Sequence, residues 1–394
     1  MHRIEEPQQG ERVLSGAFWQ LGFRPFYLVG ATFASVSILL WVLQFTGIAS
    51  ITYLPGPLWH AHEMLFGFVL AIIVGFLFTA GSNWTGQPTP RGVLLAVMVL
   101  VWMLARVLSV TPYVTAAAIV DVAFPLLAAV GIGKPLLKSR NRRNYFFVVL
   151  LLVLAAIDVL FYLAQWGVVS ISPRWAIQAG LDVVLVMLTV MGGRVIPMFT
   201  NNGVPGAGAR RIEVLEKAVI GTTVAILVCD IAGIRSAWMA PLLAACGIAQ
   251  AVRWSLWHPW TTTRTPIVWI LHAGYVWIPI HLFLRALAEV GWVTSSSATH
   301  ALAVGAAGGV ILGMITRTAR GHTGRLMKAG RSETVAYVLV VVAALVRVAL
   351  PLISPGATVA AVTIAGVCWS AGFAIYAIRF WPVLTRKRVD GKPG

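Results

Sequence analysis

Apolar stretches of about 20 residues follow one another through this chain almost without pause. Each is long enough to cross a hydrocarbon core of ~30 Å. They lie near 26–47, 61–80, 91–109, 113–137, 144–166, 174–199, 214–233, 236–257, 266–289, 297–316, 334–353 and 357–381. The pattern predicts an all-α, polytopic membrane protein of twelve transmembrane helices. Only 11% of the 394 residues are charged, against roughly 25% in soluble chains, which leaves no room for a sizeable soluble domain. The expected organisation is a single integral membrane domain over 1–394: a cytoplasmic segment 1–25, a bundle 26–381 and a basic cytoplasmic tail 382–394. Residues 1–25 mix Arg3, Arg12 and Arg24 with Glu5, Glu6 and Glu11 and hold no separate apolar core, so no cleavable signal peptide is expected.

The net charge of +17 follows the loops. Lys134, Lys138, Arg140, Arg142 and Arg143 come after the fourth stretch, and Arg210, Arg211 and Lys217 after the sixth. Arg253 and Arg264 come at or after the end of the eighth, and Arg320, Arg325, Lys328 and Arg331 after the tenth. Arg386, Lys387 and Arg388 close the chain, whereas the loops after stretches 1, 3, 9 and 11 are almost free of positive charge. This positive-inside pattern places both termini in the cytoplasm of a bacterial inner membrane. It accounts for the basicity through membrane lipid, without a nucleic-acid partner. Cys229, Cys246 and Cys368 lie singly within predicted helices, which argues against a disulfide framework or thiolate cluster.

A repeat is written into the helices. His62, Gly67, Gly75 and Gly86 recur as His300, Gly305, Gly313 and Gly324, each 238 residues later (300 − 62 = 238). Gly193 and Asn201 stand 118 residues after Gly75 and Asn83, although Gly180 occupies the histidine position. Chance resemblance among Gly- and Ala-rich helices is one explanation. The other is three four-helix repeats around a pseudo-threefold axis, with helices 2, 6 and 10 inside. In architecture alone, such a bundle with histidines at the outer ends of helices 2 and 10 resembles the catalytic subunit of haem–copper oxidases.

Histidine near lipid is costly without a partner, and imidazole is the commonest metal ligand. His60, His62 and His300 are expected at one periplasmic level, so His62 and His300 are the candidate axial ligands of one haem. His60 and His62 point roughly 200° apart on a regular helix. His60 therefore serves a second haem or copper, or lies on the loop after Pro55-Gly56-Pro57; Met64 adds a thioether suited to copper. His272 and His322 lie deeper and on the cytoplasmic side. Helix capping is the purely structural alternative for each. Arg106 and Arg347, and similarly Arg285, suit haem propionates or snorkel to headgroups. Glu63, Asp121, Asp158, Asp182 and Asp230 are candidate proton-path or packing groups. Gly305, Gly309 and Gly313 form a face suited to close helix packing. Gly192 to Pro197 is expected to break helix 6, and Asn201-Asn202-Gly203 to end it.

The blocks Trp59-His60-Ala61-His62-Glu63-Met64-Leu65-Phe66-Gly67, Phe23-Arg24-Pro25-Phe26 and Asn141-Arg142-Arg143-Asn144 resemble the NnrS family. Gly193-Arg194-Val195-Ile196-Pro197-Met198-Phe199-Thr200, Leu271-His272-Ala273-Gly274-Tyr275 and Gly321-His322-Thr323-Gly324-Arg325 extend that resemblance to helix 10. It implies haem b and copper, nitric oxide as ligand or substrate, an unidentified electron donor, and a role in nitrosative stress or denitrification. By position, His60, His62, His272, His300 and His322 match histidines of the family blocks. The rival readings are a twelve-helix secondary transporter with a midplane site, and a noncatalytic haem or copper carrier or sensor. Reporter fusions test the topology: a fluorescent protein fused after Arg140 should fold and glow, and an alkaline phosphatase fused after Thr111 should be active; the reverse would invert the orientation.

Overall fold

The computed structural model describes residues 16–50, 55–234 and 238–391. Residues 1–15, with Arg3, Arg12 and the three N-terminal glutamates, lie outside them. Among the described residues the chain is all α, with no strand.

Among the described residues, nine helices are long and apolar enough to cross a membrane. They are α1 (Phe23–Phe45), α2 (Gly56–Thr85), α4 (Val114–Lys138), α5 (Arg142–Gln165), α6 (Pro173–Gly203), α9 (Pro266–Glu289), α10 (Ser295–His322), α11 (Arg331–Ile353) and α12 (Pro355–Thr385). Between them lie α3 (Val93–Leu108), α7 (Glu213–Ile231) and α8 (Met239–Ser255). α3 and α8 are shorter, at 16 and 17 residues. α7 carries Glu213, Glu216, Lys217 and Asp230 within its 19 residues.

Consecutive helices pack on one another, and α12 returns to lie along α1. Within this ring α6 touches both α2 and α10. These three are also among the most deeply covered, with 78%, 67% and 72% of their apolar windows buried. Two of them share an irregularity. α2 widens into a π-helical segment at Glu63–Val69 and α10 into another at Ala301–Gly308. The two segments begin 238 residues apart (301 − 63 = 238), the shift that also separates His62 from His300. Each inserted residue turns the preceding side chains by roughly 100° relative to a regular helix.

Two local expectations need correction. α6 does not break at Gly192–Pro197 but runs on to Gly203. A proline within a buried helix is tolerated when neighbours cover the freed backbone; Pro197 frees the Gly193 carbonyl, and the Arg253 guanidinium packs against Gly193. α9 does bend, at Val276, where Pro279 cannot donate to the Tyr275 carbonyl one turn back. His60 also differs from the loop alternative: it belongs to the first turns of α2.

The glycine face of α10 is a packing surface. A Cβ on Gly309 would sit 2.8 Å from the Gly274 Cα on α9, and one on Gly305 would sit 2.3 Å from Trp277. Backbone thus meets backbone across the α9–α10 crossing, as small residues allow in membranes. Gly309→Leu is expected to cost about 1–3 kcal/mol through overpacking, read as a lowered Tm in detergent; Gly356→Leu, where a Cβ meets nothing within 4 Å, should leave the Tm near wild type.

Candidate functional site

A cavity of about 380 Å³ opens among α1, α2, α6, α10, α11 and α12. Its walls are mostly aliphatic and aromatic, and its polar side chains include His60, Ser296, Thr299, His300 and Arg347. A concave apolar chamber with a few converging polar groups is the usual form of a ligand site. The His60 ring lies parallel to the Trp41 indole, 4.8 Å away and 8° from coplanar orientation. The His300 ring is also nearly parallel to it, at 6.4 Å and 11°.

His300 is oriented by its own helix. Its Nδ1–H donates to the Ser296 carbonyl at 2.7 Å, so the lone pair is on Nε2. A backbone acceptor on the far nitrogen is the usual way of fixing the tautomer of a metal-binding imidazole. The two imidazoles thus lie parallel within one chamber. Met64 lines the same chamber, with its sulfur 3.7 Å from the Ser37 hydroxyl.

The imidazole beside His300 is that of His60, not that of His62. His60 and His62 diverge around α2, and His62 enters a buried ionic cluster. Its Nε2 is 2.9 Å from Asp158 Oδ1 and its Nδ1 is 3.2 Å from Glu63 Oε1. Both nitrogens are engaged by carboxylates. Arg106 reaches the same cluster, donating to Glu63 Oε2 at 2.8 Å and to Asp121 Oδ1. The Tyr162 hydroxyl donates to Asp121 Oδ2 at 3.0 Å. His62, Glu63, Arg106, Asp121 and Asp158 are all buried. Gly67 makes room for the guanidinium, since a Cβ there would stand 2.7 Å from Arg106 Nη1. Arg106 is thus committed to carboxylates rather than held for a haem propionate, whereas Arg347 faces the chamber.

A second cluster has similar construction. Arg285 on α9 bridges Asp182 on α6, at 3.0 Å, and Asp230 on α7. Gln178 donates to the same Asp182 oxygen at 3.0 Å. The remaining histidines are apart from the chamber. His272 Nε2 is paired with the Thr200 hydroxyl at 2.8 Å. His322 packs beside Phe23, with ring centres 5.6 Å apart and planes tilted by 43°. It is separated from His300 by 22 residues of α10, roughly 33 Å of helix. His281 donates from Nδ1 to the Ala298 carbonyl at 2.8 Å.

Sequence reasoning named the histidines but missed Trp41 and Trp369 in the chamber wall. An aromatic in an apolar helix carries no signal of its own. It also left the four aspartates unranked, because α4, α5, α6 and α7 meet their arginines only through packing.

The sequence model of a protein family described as NnrS protein matches residues 17–388. No curated protein matches the chain.

Removing Arg106 would strand Glu63 and Asp121 as uncompensated buried charges. Arg106→Met is expected to cost about 3–5 kcal/mol, seen as a large drop in Tm. Arg347→Met, at a half-buried position outside any ion pair among the described residues, should cost far less; equal losses would contradict the cluster's structural weight.

Proposed function

The chain belongs to the NnrS family, and from that premise we propose a membrane protein that holds haem b and binds nitric oxide, removing it during nitrosative stress or denitrification. The observation that supports this is the pair of parallel imidazoles, His60 and His300, brought together in an apolar chamber. His60 and His300 would hold the haem, which would supply an iron whose reactivity the protein's ligands and surroundings tune. The chain's own part is to fix those ligands and to exclude water. Ser296 sets the His300 tautomer, Trp41 holds the His60 ring flat, and Arg347 offers a guanidinium to a propionate. Nitric oxide is small and apolar enough to partition into lipid, and the chamber walls suit it. Any reductive turnover draws electrons from a donor protein or quinol.

The loop charges support insertion in a bacterial inner membrane with both termini cytoplasmic, which puts the His60–His300 level towards the periplasm. In this reading α3, α7 and α8 also cross, giving twelve spans. Three four-helix units around α2, α6 and α10 agree with the matching π-helical segments and with α6 lying between α2 and α10.

A second occupant is favoured by one observation: Met64 lines the chamber with the two imidazoles. A sulfur and two nitrogens suit copper. Metal analysis and optical spectra separate the two. Purified protein should show a Soret band that falls by more than tenfold in His60→Ala and in His300→Ala, whereas His272→Ala and His322→Ala should keep it. A colourless protein whose copper disappears in the same two variants would favour copper. A protein without either that still transports a solute would return the transporter reading. Consumption of nitric oxide with an added donor would distinguish an enzyme from a carrier or sensor.

A further inference from the structure

The cluster around His62 contains more negative charge than its own residues neutralise. Glu63, Asp121 and Asp158 contribute three carboxylates, and Arg106 one guanidinium. With neutral His62 the sum is −2 (−3 + 1), at side chains 0–6% exposed, where isolated charge is prohibitive. Asp158 Oδ2 is buried and has no hydrogen-bond partner among the described residues.

The orientation of the oxygens is as informative as their number. Arg106 takes Glu63 Oε2 and Asp121 Oδ1; Glu63 Oε1 lies 3.2 Å from Nδ1, and Asp121 Oδ2, which also accepts from the Tyr162 hydroxyl at 3.0 Å, lies 3.7 Å from Nε2. Donor atoms of His62, Glu63 and Asp121 all lie within 4.8 Å of one another. Ligands about 2.0–2.2 Å from a tetrahedral ion are roughly 3.4 Å apart, and the Nδ1–Oε1 distance is close to that. Asp158, 2.9 Å from Nε2, accepts the proton of the far nitrogen and completes a carboxylate–histidine–metal arrangement.

We propose that His62 Nδ1, Glu63 and Asp121 bind a divalent first-row cation, with Asp158 positioning the imidazole and Arg106 the carboxylates. Two positive charges bring the sum to zero. One nitrogen and hard oxygens, without sulfur, suit Zn²⁺ or Mn²⁺ rather than cuprous copper. The site is separate from the His60–His300 chamber, facing the opposite side of α2, and does not rest on haem being bound there. The competing account places two protons in the cluster, one on His62 and one on a carboxyl group.

The test uses full-length protein in detergent, stripped with a chelator, re-equilibrated with Zn²⁺ or Mn²⁺ and gel-filtered. Wild type should retain one equivalent by mass spectrometry, and Glu63→Gln and Asp121→Asn should lose most of it. His300→Ala should retain it despite losing any Soret band, so failure of the haem reading would leave this result standing. Should the carboxylate variants fail to fold, the Mn²⁺-loaded His60→Ala and His300→Ala proteins decide: each should show imidazole nitrogen coupling in pulsed electron paramagnetic resonance. Wild type that retains neither metal, full retention in Glu63→Gln, or Mn²⁺ without nitrogen coupling overturns the site and favours the two protons.

Discussion

Lipid offers no water to a stray charge, and the architecture of this bundle follows from that. Three guanidiniums inside it are matched to carboxylates on other helices. Arg106 joins α3 to α2 and α4, Arg285 joins α9 to α6 and α7, and Arg253 joins α8 to α7 through Glu216 at 2.5–2.8 Å. Hydrophobic attraction between helices is weak where the surroundings are equally apolar. Directional pairs of this kind therefore specify which helices are neighbours, and tight glycine crossings set how near they come.

The chamber depends on this partition. Because the carboxylates of α2, α4 and α5 gather on one side of α2 around His62, the other side is free of acids and lined by apolar groups with His60. One helix thus separates two environments of opposite character two residues apart. The π-helical turn just beyond them alters the phase of α2 at that point, and α10 has the same device after His300.

Most of the fold was legible from residues alone. Runs of apolar side chains are one-dimensional signals, and helical segments occupy each predicted stretch to within a few residues, because backbone satisfaction in lipid permits little else. The Gly-x3-Gly-x3-Gly face was equally readable, since its meaning is local. The pairing of His62 with His300 was not. It came from the repeat shift, which assigns equivalent positions but not the directions in which rings point. The widened turns change those directions, and His60 takes the place beside His300. The uninterrupted course of α6 was likewise hidden: Pro197 reads as a breaker until the Arg253 side chain from α8 is seen to pack there.

The seam between Gly274 and Gly309 has a mechanical corollary. At its closest point backbone meets backbone, with the side chains of Val310, Leu271 and Trp277 bordering the contact. α9 and α10 are thereby pinned together at one level, with Arg285 on one member and His300 on the other. By way of this pin, a displacement at the Asp182–Asp230 grip has to pass the interruption at Val276 and the π-helical segment at Ala301–Gly308 before it meets the imidazole, so along this route the two ends of the pair are held apart mechanically.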